Sequence, residues 1–463
     1  MLPEDGLKRK HSEEDKARER LGRFTNHAPS SLAEGTTFQK AIRTGVVRLN
    51  RPFEFHSIPI ALLQKEFGEF RDDCEAAPSV QAQKLSRQLT VAACEWHENE
   101  SARVRMVYDI FTEYAELYLA PGKIPGTAYS TDGNLLAHIV PPAIRECRLE
   151  TGCALFEAIG YYANYLRYKI DVSGTCFPCV LMLDVGKSAF FLSPETISYQ
   201  RVGSSLAFYG CLWTGTQIFV EPLIPSYDLT THSAEEAGRR AIASSLSAFM
   251  NITKRLETHY ASVPDLPLRD PSYPYPTSYN DKDGRQINFK YERRVEEKLI
   301  FMVMTDTDER AVAKFTRRYS ADAHTFLASL GHAPSLRAVT PLPGGWILVV
   351  MDLSPFPLLS ELNLSDKLRE QVRLKITNIV RTLHENRFVH GDIRSVNILV
   401  EYEALARGED FGIHLLDFDW AGWIGEAKYP TRVNTETVRR PEGVADGEYI
   451  TCDHDVGMVN LLW

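Results

Sequence analysis

Apolar residues recur at helical spacing from Pro59 to Ala120 with few breakers, and the pattern predicts a helical segment. Short stretches rich in β-branched and aromatic residues follow: "AHIVPPAIRECRLE", "FPCVLMLDVG", "AFFLSP" and "TQIFVEPLI" read as strands. Among them "CALFEAIGYYANYLRYKI" returns to helical spacing. A capping box from Ser233 to Glu236 opens a long helix that runs to about Tyr260. Strands and helices in this order predict an α/β or α+β domain.

The pattern then breaks. Residues 262–286 hold five prolines and many turn formers, the composition of a linker or a long surface loop. It restarts with strands in "KLIFMVMT", "RAVAKF" and "GWILVVMDL", then a helix from about Ser365 with Leu368, Val372, Ile376, Ile379 and Leu383 on one face. Residues 1–35 are charged, then rich in Ser, Thr and Gly, and are expected to lack order. The expected organisation is a disordered N-terminus (1–35), a helical segment (36–120), an α/β domain (121–261), a Pro-rich linker (262–286) and a second domain (287–463), an α+β chain as a whole.

Composition narrows the classes. A chain of 463 residues exceeds one ordinary core, and 44% apolar with 24% charged residues is the make-up of a soluble globular protein. A formal charge of −9 gives no general attraction to nucleic acid or anionic membrane, so neither is expected as a partner. The longest apolar run, near Trp346 to Met351, is too short to span a bilayer. "MLPEDGLKRKHSEEDKARER" has no apolar core of a secretory signal, so a cytoplasmic or nuclear location is expected. "LKRKH" reads as a solvated charge cluster, with a weak nuclear signal as the alternative. Eight scattered cysteines do not form a disulfide scaffold and are expected to be reduced. Cys176 and Cys179 in "CFPC" have CxxC spacing but no second CxxC to complete a zinc site. Burial at the start of a strand is the reading, with redox or metal chemistry the alternative.

Candidate chemistry lies in the second domain, in an ordered series. Lys314 ends a strand after the polar turn "TDTDER". The long helix leads into His390-Gly391-Asp392, with Asn397 five residues beyond Asp392, and the strand "IHLL" leads into Asp417-Phe418-Asp419. Phosphoryl transfer needs these types: a cation for nucleotide phosphates (Lys314), a carboxylate that orients a hydroxyl and takes its proton (Asp392), and hard oxygen ligands for Mg²⁺ (Asn397, Asp417). Such chemistry relies on positioning and charge neutralisation, so few residues suffice.

This series resembles the protein-kinase-like superfamily, and in "LHENRFVHGDIR", "LLDFDWAGWIGEAKYP" and "DHDVGMV" its fungal-type branch of basidiomycetes and Crinkler-type relatives. "HGDIRSVN" is similar to the HxDxxxxN loop, "DFD" stands where DFG usually stands, and "AVAKF" is similar to the VAIK strand. The resemblance covers about 286–463 and implies a minimal two-lobed fold that uses ATP and Mg²⁺ to phosphorylate a Ser or Thr hydroxyl of a protein substrate. It implies that Arg394 lies near the γ-phosphate and that Asp455 braces the catalytic loop. Asp322 is the candidate partner of Lys314, and an ordinary surface aspartate is the alternative.

Three departures bear on this. "EEKLIFMVMTDTDER" contains no glycine for a phosphate-cradling loop. Asp419 replaces the DFG glycine and adds negative charge beside the metal position. The chain closes eight residues past Asp455, short of the helices that complete a usual kinase C-lobe. A pseudokinase or adaptor is the rival reading, and a small-molecule phosphotransferase a further one.

Upstream, Asp132 precedes one strand, Glu146 and Arg148 lie on the next, and Glu157 opens a tyrosine-rich helix. This resembles the PD-(D/E)xK restriction-nuclease core, which implies an aspartate and a glutamate holding Mg²⁺ beside a lysine. Arg148 stands at the lysine position and is a poor base. Residues 101–260 hold 13 Lys and Arg against 15 Asp and Glu, so no basic groove is expected. The alternative is an α/β scaffold in which Glu146 and Arg148 form a strand-surface ion pair.

Overall fold

The computed structural model describes residues 4–49, 57–95, 97–135, 140–148, 153–169, 176–185, 204–230, 232, 234–262, 270–296 and 298–463. The chain forms two units, Met1–Tyr275 and Pro276–Trp463. Among the described residues no helix is long and apolar enough to cross a membrane.

The first unit opens with helices α1 (Glu4–Phe24), α2 (Pro29–Leu32) and α3 (Gly35–Ile42). The stretch expected to lack order is thus helical. Its high charge hides an apolar stripe, Ala17, Leu21 and Phe24, which is buried in a core shared with Tyr162 and Phe38. Strand β1 (Val47–Leu49) follows, then α4 (Ile60–Leu63), α5 (Lys65–Glu75), α6 (Val80–Cys94) and α7 (Glu100–Ala115). Next come β2 (Gly133–Asn134), β3 (Ala143–Arg148), α8 (Ala154–Lys169), β4 (Cys179–Val185), β5 (Ser205–Trp213), β6 (Ile218–Pro222), β7 (Tyr227–Asp228) and α9 (Glu236–Ser262).

These strands form one mixed sheet in the order β1-β6-β5-β4-β3-β2, with β7 on β5. β1 interrupts the run expected to be helical: its three residues are too few to signal a strand, and they pair in parallel with β6. One sheet face packs on α1, α3 and α8. On the other, Phe208 of β5 meets Phe70 of α5 at 5.7 Å and Phe249 of α9 at 5.3 Å between ring centroids. Cys176 and Cys179 are buried and unbridged. "AFFLSP" and Ser233 of the expected capping box lie outside the described residues.

The second unit begins with β8 (Ser278–Asn280), β9 (Gln286–Arg294), β10 (Ile300–Thr305), β11 (Arg310–Thr316), α10 (Ala321–Ser329), β12 (Leu336–Leu342) and β13 (Trp346–Asp352). The sheet runs β12-β13-β11-β10-β9-β8 and is antiparallel throughout. β8 falls inside the segment expected to be linker. The turn "DKDG", with Gly284 at φ 76°, folds it back onto β9, where the turn signals had masked a three-residue strand.

Helix α11 (Asp366–Glu385) then buries Val372, Ile376, Ile379 and Leu383, as its apolar spacing predicts. After it come β14 (Phe388–Val389), β15 (Ile398–Val400), α12 (Tyr402–Arg407), β16 (Ile413–Leu415), β17 (Gly422–Trp423) and α13 (Cys452–Asn460). Met458 and Val459 of α13 join the core of α11. The pairs β14–β17 and β15–β16 bring residues 390–397 and 416–421 side by side.

Candidate active site

Alternation along β11 buries Ala311 and Ala313 on one sheet face and sends Lys314 and Thr316 to the other. The Lys314 Nζ lies 2.6 Å from Oδ1 of Asp417 and 2.6 Å from Oδ1 of Asp419. Thr316 Oγ1 donates to the other Asp419 oxygen at 2.9 Å. Burial alone would pull the ammonium down, but the two carboxylates outweigh it and hold Lys314 above the usual lysine range. Burial pushes both aspartates up. Lys314 overcomes this at Asp417, which is held below its usual range. At Asp419, burial and the neighbouring Asp417 outweigh Lys314, and the carboxyl is pushed up to about 6.

Asp417 has φ 69°, in the left-handed region, which costs a non-glycine residue about 1 kcal/mol or more. The residue after it, Phe418, is buried and stacks on His324 of α10, with centroids 4.6 Å apart and planes 5° from parallel. His324 in turn contacts Tyr319 Oη at 2.5 Å and the Pro334 carbonyl at 2.7 Å. A packed aromatic therefore fixes the backbone on which Asp417 and Asp419 stand.

Residues 390–397 are held from below by Asp455, which is fully buried in α13. Its carboxylate accepts the backbone N–H of His390 at 2.8 Å and of Gly391 at 2.7 Å, and lies 3.1 Å from His384 Nε2. Gly391 has φ 83°, and a Cβ there would sit 2.7 Å from Ile450, so this position excludes a side chain on two counts. His390 is buried, with Nε2 3.1 Å from the Leu416 carbonyl, while Leu416 N–H donates to the Asn397 carbonyl at 2.8 Å. These two contacts lock the Asp392 loop to the Asp417 loop.

Asp392 is almost fully buried and heavily tethered. Its Oδ2 accepts from Arg394 at 2.8 Å and from Asn397 Nδ2 at 2.9 Å, and its Oδ1 accepts from Arg440 at 2.7 Å. Asn397 Nδ2 also donates to the Asp392 carbonyl at 3.0 Å, which commits its amide nitrogen and leaves its oxygen for a ligand.

The structure thus brings Lys314 to Asp417, and Asp392 to Arg394 and Asn397. It does not bring Asp322 to Lys314: Asp322 is exposed in the first turn of α10, and the described ion-pair partners of Lys314 are Asp417 and Asp419. The first-turn position points Asp322 to solvent, while Asp419 reaches the ammonium from the opposite loop. Sequence reasoning noted Asp419 only as extra negative charge, and it missed Arg440 and His324. Lys314 and Asp419 are 105 residues apart, and Asp392 and Arg440 are 48 apart, so no local pattern signals either pair.

In the first unit, Arg148 pairs with Glu157, lies 3.7 Å from Glu146 and 4.0 Å from Glu100. Asp132 accepts the Cys147 N–H at 3.0 Å. Glu146 is 2% exposed, so the expected strand-surface pair is an interior one. Burial and the charge of Asp132 push the Glu146 carboxyl well up. The Arg148 guanidinium pairs with Glu157 and faces Glu146, so a cation already stands beside these two carboxylates. Among the described residues, no group of three or more His, Cys, Asp and Glu side chains surrounds a common metal position.

No protein-family model matches the chain, and no curated protein matches it in sequence. Among solved structures it is similar to the PK-1 kinase of Cydia pomonella granulovirus, at 15% identity over 37% of this chain and 65% of that one, TM-score 0.29. It is similar to vaccinia-related kinase 3, at 16% identity over 40% of this chain and 68% of that one, TM-score 0.31. A third is the yeast RNA polymerase II CTD kinase complex CTDK-1, at 15% identity over 31% of this chain and 50% of that one, TM-score 0.23. At such scores the residue geometry, not the likeness, carries the functional reading.

Proposed function

We propose that residues 276–463 form a two-lobed, protein-kinase-like phosphotransferase unit that moves the γ-phosphoryl group of ATP to a Ser or Thr hydroxyl of a protein. The observation that carries this is the convergence of Lys314 with Asp417, and of Asp392 with Asn397, on two loops tied together through His390 and Leu416. The fungal-type assignment is supported by the motif resemblance alone.

In this reading Lys314 binds the nucleotide phosphates. Asp392 accepts the hydrogen bond of the substrate hydroxyl, whose oxygen attacks the γ-phosphorus. The bond to the bridging oxygen breaks, ADP departs, and the hydroxyl proton passes to Asp392. Arg394, beside Asp392, neutralises charge on the transferred group. Asp417 and Asn397, whose amide nitrogen is committed to Asp392, offer hard oxygens that would hold Mg²⁺. When bound, Mg²⁺ supplies positive charge between the phosphates. In place of a helix carboxylate, Asp419 anchors Lys314 from the Asp417 loop.

A second reading, a pseudokinase or adaptor, is favoured by the same Asp419 contact, which neutralises Lys314, and by the absence of glycine from residues 296–310. Titration with Mg-ATP followed by radiolabel transfer to a generic protein substrate tests the two. Binding with transfer supports the first; binding without transfer under every condition supports the second. For the first unit we propose a scaffold without nuclease chemistry, because Arg148 is committed to its carboxylates. Plasmid nicking that needs Mn²⁺ and is lost in Glu146→Ala contradicts this.

A further inference from the structure

Asp392 receives a cation from a part of the chain that the proposed transfer chemistry does not use. Arg440 lies in the long loop between β17 and α13, and its side chain is only 4% exposed. Its guanidinium donates to Asp392 Oδ1 at 2.7 Å and lies over the Trp420 ring, 5.0 Å from the centroid. Among the described contacts, Asp392 Oδ2 has both lone-pair directions filled, by Arg394 and Asn397, while Oδ1 has one filled by Arg440. One acceptor direction is left, on the oxygen that Arg440 holds.

The segment that delivers Arg440 is built to keep its shape. Tyr429, Val433, Val444 and Ile450 form a small buried cluster with Val389. Asp446 accepts the backbone N–H of Arg432 at 2.6 Å and of Val433 at 2.8 Å. Pro441, next to Arg440, packs so closely on α13 that a Cβ at Gly457 would lie 2.6 Å from its ring. Arg440 is thus fixed from both sides before it reaches Asp392.

We propose that Arg440 is a positioning residue for phosphoryl transfer, holding Asp392 so that a single carboxylate direction on Oδ1 meets the substrate hydroxyl. This rests on the phosphotransferase reading above. Without Arg440 the carboxylate keeps its Oδ2 donors but its Oδ1 is no longer fixed, and the hydroxyl is aligned less often. The defect belongs to the transfer step and not to nucleotide binding, which Lys314 governs.

The test compares wild type with Arg440→Gln and Arg440→Lys in kcat and in KM for Mg-ATP and for a protein acceptor. Loss of a supporting partner of a functional group typically costs about 10- to 100-fold. Arg440→Gln is expected to lower kcat by that range with KM for Mg-ATP within about twofold, and Arg440→Lys, which keeps the charge but not the planar fork, to fall between. In an Asp392→Asn background, Arg440→Gln is expected to add little, since the two act as a unit. Should Arg440→Gln not fold, Arg440→Lys carries the test alone, and a kcat equal to wild type overturns the role. Wild type that transfers phosphate while all Arg440 variants match it removes this role and leaves the phosphotransferase reading standing. Wild type that transfers nothing removes both.

Discussion

Asp419 reaches Lys314 Nζ at 2.6 Å and is itself fixed by Thr316 Oγ1 at 2.9 Å, so the carboxylate that anchors the lysine comes from the same three-residue stretch as Asp417. Helix α10 contributes His324, the stacking partner of Phe418, instead of an acid to Lys314. One loop therefore sets both the lysine and the aspartate proposed to hold the metal.

If Asp419 is an anchor, Asp419→Ala leaves Lys314 with Asp417 alone, a partner it must share with Mg²⁺. Mg-ATP affinity and transfer are expected to fall together, by about 10- to 100-fold in kcat/KM. Titration calorimetry and initial rates measure this. Tighter Mg-ATP binding in Asp419→Ala would mean that Asp419 blocks the site, as the pseudokinase reading requires.

Asp455 stands below the Asp392 loop with no access to solvent. Asp455→Ala leaves the His390 and Gly391 N–H groups buried and unpaired, a loss of roughly 3 kcal/mol or more for hydrogen bonds to a charged group. Asp455→Asn keeps one acceptor oxygen and is expected to lose less. Urea unfolding of the two variants gives the order, and equal midpoints for Asp455→Ala and wild type would show that the brace contributes nothing.

His324 gives a pH signature. Burial pushes its folded pKa down to about 4, against an ordinary value of 6.5. Between these values the unfolded chain binds the proton that the folded chain refuses, so stability is full above about 6.5 and falls as pH drops toward 4. The difference corresponds to about 3 kcal/mol across that window. His324→Gln cannot take up this proton. The gap in urea midpoint between wild type and His324→Gln should therefore shrink from pH 7 to pH 4.5, and a constant gap would count against a buried neutral His324.

Part of this molecule is legible in the sequence because it is local. The helix face of Val372, Ile376 and Ile379 and the spacing from Asp392 to Asn397 are set by turns of a few residues. Other parts are not. Charge dominates the composition of α1 and conceals Ala17, Leu21 and Phe24. Helix α10 has only nine residues, too short for an apolar period to stand out, and β12 contains Pro341, which argues against a strand. The partners of Lys314 and Asp392 depend on chain segments that meet only after folding, which is why Asp322 was the expected neighbour and Asp419 the observed one.

The central claim, that the Lys314, Asp392, Asn397 and Asp417 cluster transfers phosphate, is tested most directly by following γ-phosphate transfer alongside Mg-ATP titration in wild type, Asp392→Asn and Asp417→Asn. Asp392→Asn keeps the side-chain volume but removes the proton acceptor, so transfer is expected to fall by about 100-fold or more while Mg-ATP affinity stays within about twofold. Asp417→Asn removes a charged oxygen ligand, and affinity and transfer are expected to fall together. Wild type that binds Mg-ATP and transfers no phosphate, or an Asp392→Asn variant as active as wild type, would contradict the account.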